Sequence, residues 1–116
     1  MIARIWRGNT RADKADEYLA YVEETGLKEY RSTPGNLGAL VLRRGRDDTA
    51  EFLVVSFWES FEAIRRFAGA HPENAVYYPE DDRYLLGKEP HVTHHEVGAG
   101  YLPAFDRRAP EISRTA

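Results

Sequence analysis

The segment Tyr77-Tyr78-Pro79-Glu80-Asp81-Asp82 gathers the side chains of this sequence best suited to chemistry. Two phenol hydroxyls beside a cavity can orient an oxygen-bearing ligand, and a neighbouring carboxylate can take a proton from it. The plain alternative is a loop with solvated acids and one buried tyrosine. His71 stands just upstream. Histidine is the side chain whose ordinary pKa lies nearest neutrality, which makes His71 the nominal general base, although a surface histidine just past a helix is the commoner case. His71, Tyr77 and Tyr78 are therefore the catalytic candidates. Trp58 closes an apolar strand where a helix begins. It is either a core aromatic or a pocket wall on which a flat ligand stacks. Trp6 is a second candidate for substrate binding, if its strand turns the same face inward.

Other chemistry finds little support. His91, His94 and His95 share one short segment, so His94 and His95 point to opposite faces of a strand. His91 and His95 share a face but sit roughly 13 Å apart at ~3.3 Å per residue. Neither pair chelates one ion, whose ligands must lie near ~2 Å, and no metal is expected. With zero cysteines, thiolate catalysis, cysteine metal sites and disulfides are excluded. No glycine-rich phosphate loop is present, and no nucleophile elbow surrounds Ser32, Ser56, Ser60 or Ser113. A tightly held nucleotide cofactor is not expected.

The elements that must position these residues follow from hydrophobic periodicity. Residues 2–7 alternate loosely and form a first strand, ended by Gly8-Asn9. Ala15, Tyr18, Leu19 and Val22 fall at i, i+3, i+4 and i+7, the stripe of a helix. Gly26 interrupts that pattern, and Pro34-Gly35-Asn36 ends any continuation through residues 27–30. Residues 37–44 form a second strand, joined by a hairpin at Gly45-Arg46-Asp47-Asp48 to a third over residues 49–58. Ser60 is placed to cap a second helix, whose apolar stripe is Phe61, Ile64, Phe67 and Ala68, with Gly69 as its stop. Residues 74–78 have the makings of a short helix before Pro79, and residues 82–86 those of a turn. A last strand runs over residues 91–97. Beyond it, residues 99–116 read as an arm or tail after a domain of residues 1–98.

This order, βαββαβ, specifies an α+β, ferredoxin-like domain, a four-stranded antiparallel sheet with both helices on one face. The third strand carries Phe52, Val54, Ser56 and Trp58 on one side and Leu53, Val55 and Phe57 on the other, so neither side suits water. Two helices cover one side only. A second copy is the simplest cover for the other, since a specific dimer buries about 800 Å² per partner and two-fold symmetry pairs sheets back to back. The tail, with Asp106-Arg107-Arg108, is a poor hydrophobic cover. A homodimer through the open sheet face is therefore expected.

At 116 residues, 42% hydrophobic and 30% charged, with a formal charge of −3, the chain fits one soluble globular domain. A nucleic-acid partner is not expected: Arg43-Arg44-Gly45-Arg46 is followed at once by Asp47 and Asp48, a solvated hairpin tip rather than a basic face. No apolar run is long enough for a membrane span. The start lacks the pattern of a secretory leader, and with the missing cysteines this points to the cytoplasm.

The opening Met1-Ile2-Ala3-Arg4-Ile5-Trp6, the stretch YRSTPGNLG over residues 30–38, EFLVVSFWESFEAIRRFAG over residues 51–69 and YYPEDDRYLL over residues 77–86 together resemble the antibiotic biosynthesis monooxygenase superfamily, the dimeric α/β-barrel group. The resemblance spans residues 1–97, and its tryptophan-acid-serine junction marks the fold rather than one reaction. It implies cofactor-independent oxidation of a small aromatic or quinol-like compound by O₂. In such enzymes a substrate anion reduces oxygen in a dry pocket beside a tryptophan, here matched by Trp58, with Tyr77 and Tyr78 as the polar partners. The alternative it implies is a non-catalytic or stress-related binder of small hydrophobic or aromatic molecules. A third activity of the superfamily, haem degradation, uses a first-strand asparagine, the same tryptophan and a histidine after the second helix. Ile5 or Trp6 stands at the first of these positions, and Tyr77 and Tyr78 at the last.

Overall fold

The computed structural model describes residues 1–103. The arm expected over residues 99–116 falls outside them from residue 104 onward. Strands β1 (Ile2–Arg11), β2 (Asn36–Arg46), β3 (Thr49–Trp58) and β4 (Thr93–Glu96) form one antiparallel sheet in the order β2-β3-β1-β4. With the helical segments between β1 and β2 and between β3 and β4, this is the ferredoxin-like topology read from the sequence.

The third strand matches its expected bounds residue for residue, because period-two alternation of large side chains leaves it no other way to lie. Ala50, Phe52, Val54, Ser56 and Trp58 are buried beneath the helices. Their partners across β1 are Thr10, Gly8, Trp6, Arg4 and Ile2. The first strand runs past Gly8, which was expected to end it. A side-chain carbon on Gly8 would sit 2.3 Å from the Trp6 ring. Gly8 is thus the floor on which the indole lies, and its backbone stays in the ladder.

The first helical region is longer than the sequence pattern suggested. Helix α1 (Ala15–Val22) passes without a break into a five-residue π turn (Glu23–Leu27) and then α2 (Lys28–Ser32). Gly26 widens the helix instead of ending it. The Thr25 hydroxyl donates 2.7 Å to the Tyr21 carbonyl, supplying a partner that the wide turn disturbs. At Gly35 the backbone is left-handed (φ 91°), and a side chain there would meet Ala63 Cβ at 2.4 Å, so only glycine lets this turn press against the last helix. That helix, α3 (Phe61–Ala68), starts as expected: the Ser60 hydroxyl accepts from the Ala63 N–H at 3.1 Å.

Residues 74–78 are not helical. Ala75 N–H donates to the Pro90 carbonyl and Val92 N–H to that of Glu73, and Asn74 bridges His91. Pairing with the approach to β4 outweighs a helical preference too short to nucleate alone. A 3₁₀ turn over Asp81–Arg83 follows.

Candidate functional site

A small cavity lies between the sheet and its helical cover. Arg4, Trp6 and Val54 form its floor, Tyr18, Val22, Thr25, Gly26 and Tyr30 its roof, and Phe67, Val76, Tyr78 and Asp81 its sides. Its volume is about 40 Å³, smaller than the ~150 Å³ cavity that takes benzene in a dry protein core. An aromatic ring therefore needs the walls to yield.

Two charged groups border the cavity. Asp81 is 4% exposed. It accepts from the Tyr18 hydroxyl at 3.3 Å and from the Tyr78 N–H at 2.6 Å. Burial outweighs both bonds and holds its carboxyl above the ordinary range. The Tyr18 phenol is pushed up as well, by burial and then by Asp81. Arg4, on the central strand, is 3% exposed. It donates to the carbonyls of Pro72 at 2.7 Å and Asn74 at 3.0 Å, and its guanidinium stacks 5.5 Å from the Phe67 ring centre. Burial lowers its pKa, opposed by the Tyr30 and Tyr78 hydroxyls facing it.

The residues singled out from sequence divide clearly. Trp6 and Tyr78 border the cavity. Tyr77 does not, but it accepts from Trp6 Nε1 at 3.3 Å and donates to the Glu89 carbonyl, so it fixes the indole. The Tyr78 hydroxyl is buried without a well-formed hydrogen bond among the described residues. Burial and then Glu29 push its ionisation up. Trp58 is 0% exposed and lies outside the cavity. Its Nε1 donates 2.8 Å to Ser56 Oγ, and its ring packs against Tyr30 and Phe67, each centroid 5.8 Å away. Of the two readings of Trp58, the core aromatic describes its position.

His71 is on the surface, its side chain 74% exposed and 3.6 Å from Glu73. His94 pairs with Arg4 and His95 with Ala3, on opposite faces as the alternation required. Arg4 and Asp81 are the charged cavity residues, and sequence reasoning passed over both as individuals. Asp81 sits in the carboxylate cluster noticed beside Tyr78. Arg4 gave no local signal, because its partners lie 68 and 70 residues away.

A four-stranded antiparallel sheet with helices on one face defines a ferredoxin-like fold, here with a small cavity beneath the helices. The model of the antibiotic biosynthesis monooxygenase family matches residues 1–72, and the chain belongs to that family. No curated protein matches it. Among solved structures it is similar to a putative antibiotic biosynthesis monooxygenase from Bacillus cereus, with 14% identity, a TM-score of 0.59 and coverage of 87% of this chain and 96% of that one. It is also similar to the heme-degrader MhuD from Mycobacterium tuberculosis with two hemes bound in its active site, at 21% identity, TM-score 0.55 and coverage of 87% and 99%. A mutant of MhuD with two manganese protoporphyrin IX per active site aligns at 21% identity, TM-score 0.57, covering 87% and 98%. At these identities the likeness establishes the fold. The present cavity does not fit a haem: no histidine borders it, and at about 40 Å³ it is far too small for a porphyrin. No helix among the described residues is long and apolar enough to cross a membrane.

Proposed function

We propose that this protein is a homodimeric, cofactor-independent monooxygenase that oxidises a small aromatic or quinol-like compound with O₂ in the cavity under the helices. The observation that carries the reading is a buried carboxylate with a raised pKa, Asp81, in a site otherwise walled by Trp6, Tyr18, Tyr30 and Tyr78. A base works best when its pKa approaches the working pH, and burial moves Asp81 in that direction. The Tyr18 and Tyr78 contacts leave each of its oxygens a lone pair with which to take a proton.

In this reading Asp81 takes a proton from an activated ring carbon or phenol. The resulting carbanion-like anion adds to O₂, and the hydroperoxide loses water to leave a carbonyl, so substrate plus O₂ gives quinone plus water. Tyr78 orients the substrate oxygen, Trp6 supplies a stacking face and Tyr77 holds the indole in place. Trp58 acts from beneath, by fixing Tyr30. His71 has no part unless the loop that carries it moves. The open face of the sheet, with Ile5, Leu40, Leu53, Val55 and Phe57 half-buried and Leu42 46% exposed, supports pairing with a second copy.

Oxygen uptake with hydroquinones and anthrone-like phenols is the test. Asp81→Asn should lower turnover about a hundredfold or more, and Tyr78→Phe less. The wild-type rate should rise with pH as Asp81 ionises. Equal rates in wild type and Asp81→Asn would remove Asp81 from the mechanism. No uptake with any phenol would end the enzymatic reading. The second reading, a binder without turnover, uses the same cavity and predicts ligand binding with no oxygen consumed.

A further inference from the structure

Arg4 presents an imbalance that the proposed oxidation does not use. A guanidinium moved out of water costs several kcal/mol unless a counter-charge or a full set of acceptors replaces the solvent. Arg4 has two carbonyl acceptors, although a guanidinium carries more N–H donors than those use. Among the described residues it makes no ion pair, and Asp81, the other charged residue on the cavity wall, is not among the groups that act on it. Around it stand the Phe67 ring, His94 on the neighbouring strand, and Tyr30 and Tyr78, whose buried hydroxyl has no well-formed bond but lies under the influence of the Glu29 carboxylate.

A fixed positive charge with spare N–H groups at the floor of a ring-lined cavity matches one kind of occupant. We propose that Arg4 is the specificity-determining residue of the cavity and that the occupant is an aromatic carboxylate, an anion before any chemistry begins, whose carboxyl group accepts from the guanidinium. A permanent anion is favoured over a phenol ionised in passing, because the charge on Arg4 is also permanent and needs its counter-ion in every state of the bound complex. At about 40 Å³ the cavity already has room for a head group of that size, and its walls must widen to admit the ring. The inference rests on the monooxygenase reading only in taking this occupant to be the substrate.

Calorimetry on the full chain with benzoate against benzamide, its neutral counterpart, tests the idea. Wild type should prefer benzoate at least tenfold. Arg4→Lys should keep part of that preference and Arg4→Gln should lose it. Arg4 also ties down the loop at Pro72 and Asn74, so Arg4→Gln is paired with a variant that leaves those bonds intact. Gly26→Leu projects into the cavity from a position whose added Cβ meets nothing nearer than Tyr30 at 4.0 Å, and it should abolish benzoate binding while the protein stays folded. Equal affinity for acid and amide, or benzoate binding that survives Gly26→Leu, overturns the proposal. Oxygen uptake separates the two ideas. Uptake with a neutral hydroquinone, undiminished in Arg4→Lys, would leave the oxidation standing and remove the carboxylate. Benzoate bound through Arg4 with no uptake from any phenol would do the reverse.

Discussion

The two sides of β3 carry similar loads and meet different fates. Phe52, Val54 and Trp58 on the helical side are buried to within a few per cent, whereas Leu53, Val55 and Phe57 on the other side remain half-covered. Hydrophobicity alone does not separate them. On the helical side the apolar side chains share their layer with Arg4, Ser56 and Asp81, each held by specific partners. The open side is plainer, aliphatic at its centre with Arg7 and Glu51 toward one end. Polar groups concentrate where the fold can satisfy them internally, and the plain surface suits a cover that brings only area. A site needs the first kind of face. An interface is better served by the second.

Substitutions along the sheet can break that contrast. The largest effect belongs to Trp58→Ala, which removes a fully buried ring and leaves the Ser56 hydroxyl without its donor. It should cost about 3–5 kcal/mol in urea denaturation, and a loss below about 1 kcal/mol would mean the ring is not part of the core. Val55→Glu, one strand position from the buried Val54, should leave the fold intact and yield monomers in sedimentation velocity. Unfolding, or an unchanged dimer, would contradict the role given to the open side. Gly8→Ala is smaller, about 1–3 kcal/mol for overpacking, and should appear as a shifted tryptophan emission as Trp6 is lifted from its seat.

The smallest effect is a pH dependence on the helical side. Burial and then Arg4 hold His94 below its ordinary pKa. A depressed histidine contributes stability that is complete above its unfolded value of about 6.5 and is lost as pH falls through the lower folded value. Thermal melts of wild type and His94→Gln should therefore diverge below about pH 6.5, with wild type losing more. Parallel curves would show that His94 protonates as freely in the fold as outside it.

Much of the scaffold was legible because its signals are local. The alternation in β3, the Ser60 cap and the stripe of Tyr18 and Val22 each depend on neighbours a few residues away. Gly8 and Gly26 were read as interruptions because the glycine signal is ambiguous: it marks a break or a close approach, and only the position of the Trp6 ring or the width of the helix decides which. The site was less legible still. Arg4 carried no signal of its own within the first strand, and its burial depends on a loop that closes over it from 68 and 70 residues away. His71 looked like a base by residue type, but residue type does not say which way a loop turns.

The π turn decides which side of its helix meets the sheet. At about 100° per residue, the eight steps from Val22 to Tyr30 would leave those two side chains roughly 80° out of phase, with Tyr30 swung away from Trp58. The slower winding of a wide turn, roughly 80° per residue over its five residues, takes back about 100° and brings the two side chains to within about 20° of one phase. Seven ordinary steps of about 100° would also end about 20° short of two turns, so the wide turn houses one extra residue while Tyr30 keeps its place beside Trp58 and Phe67.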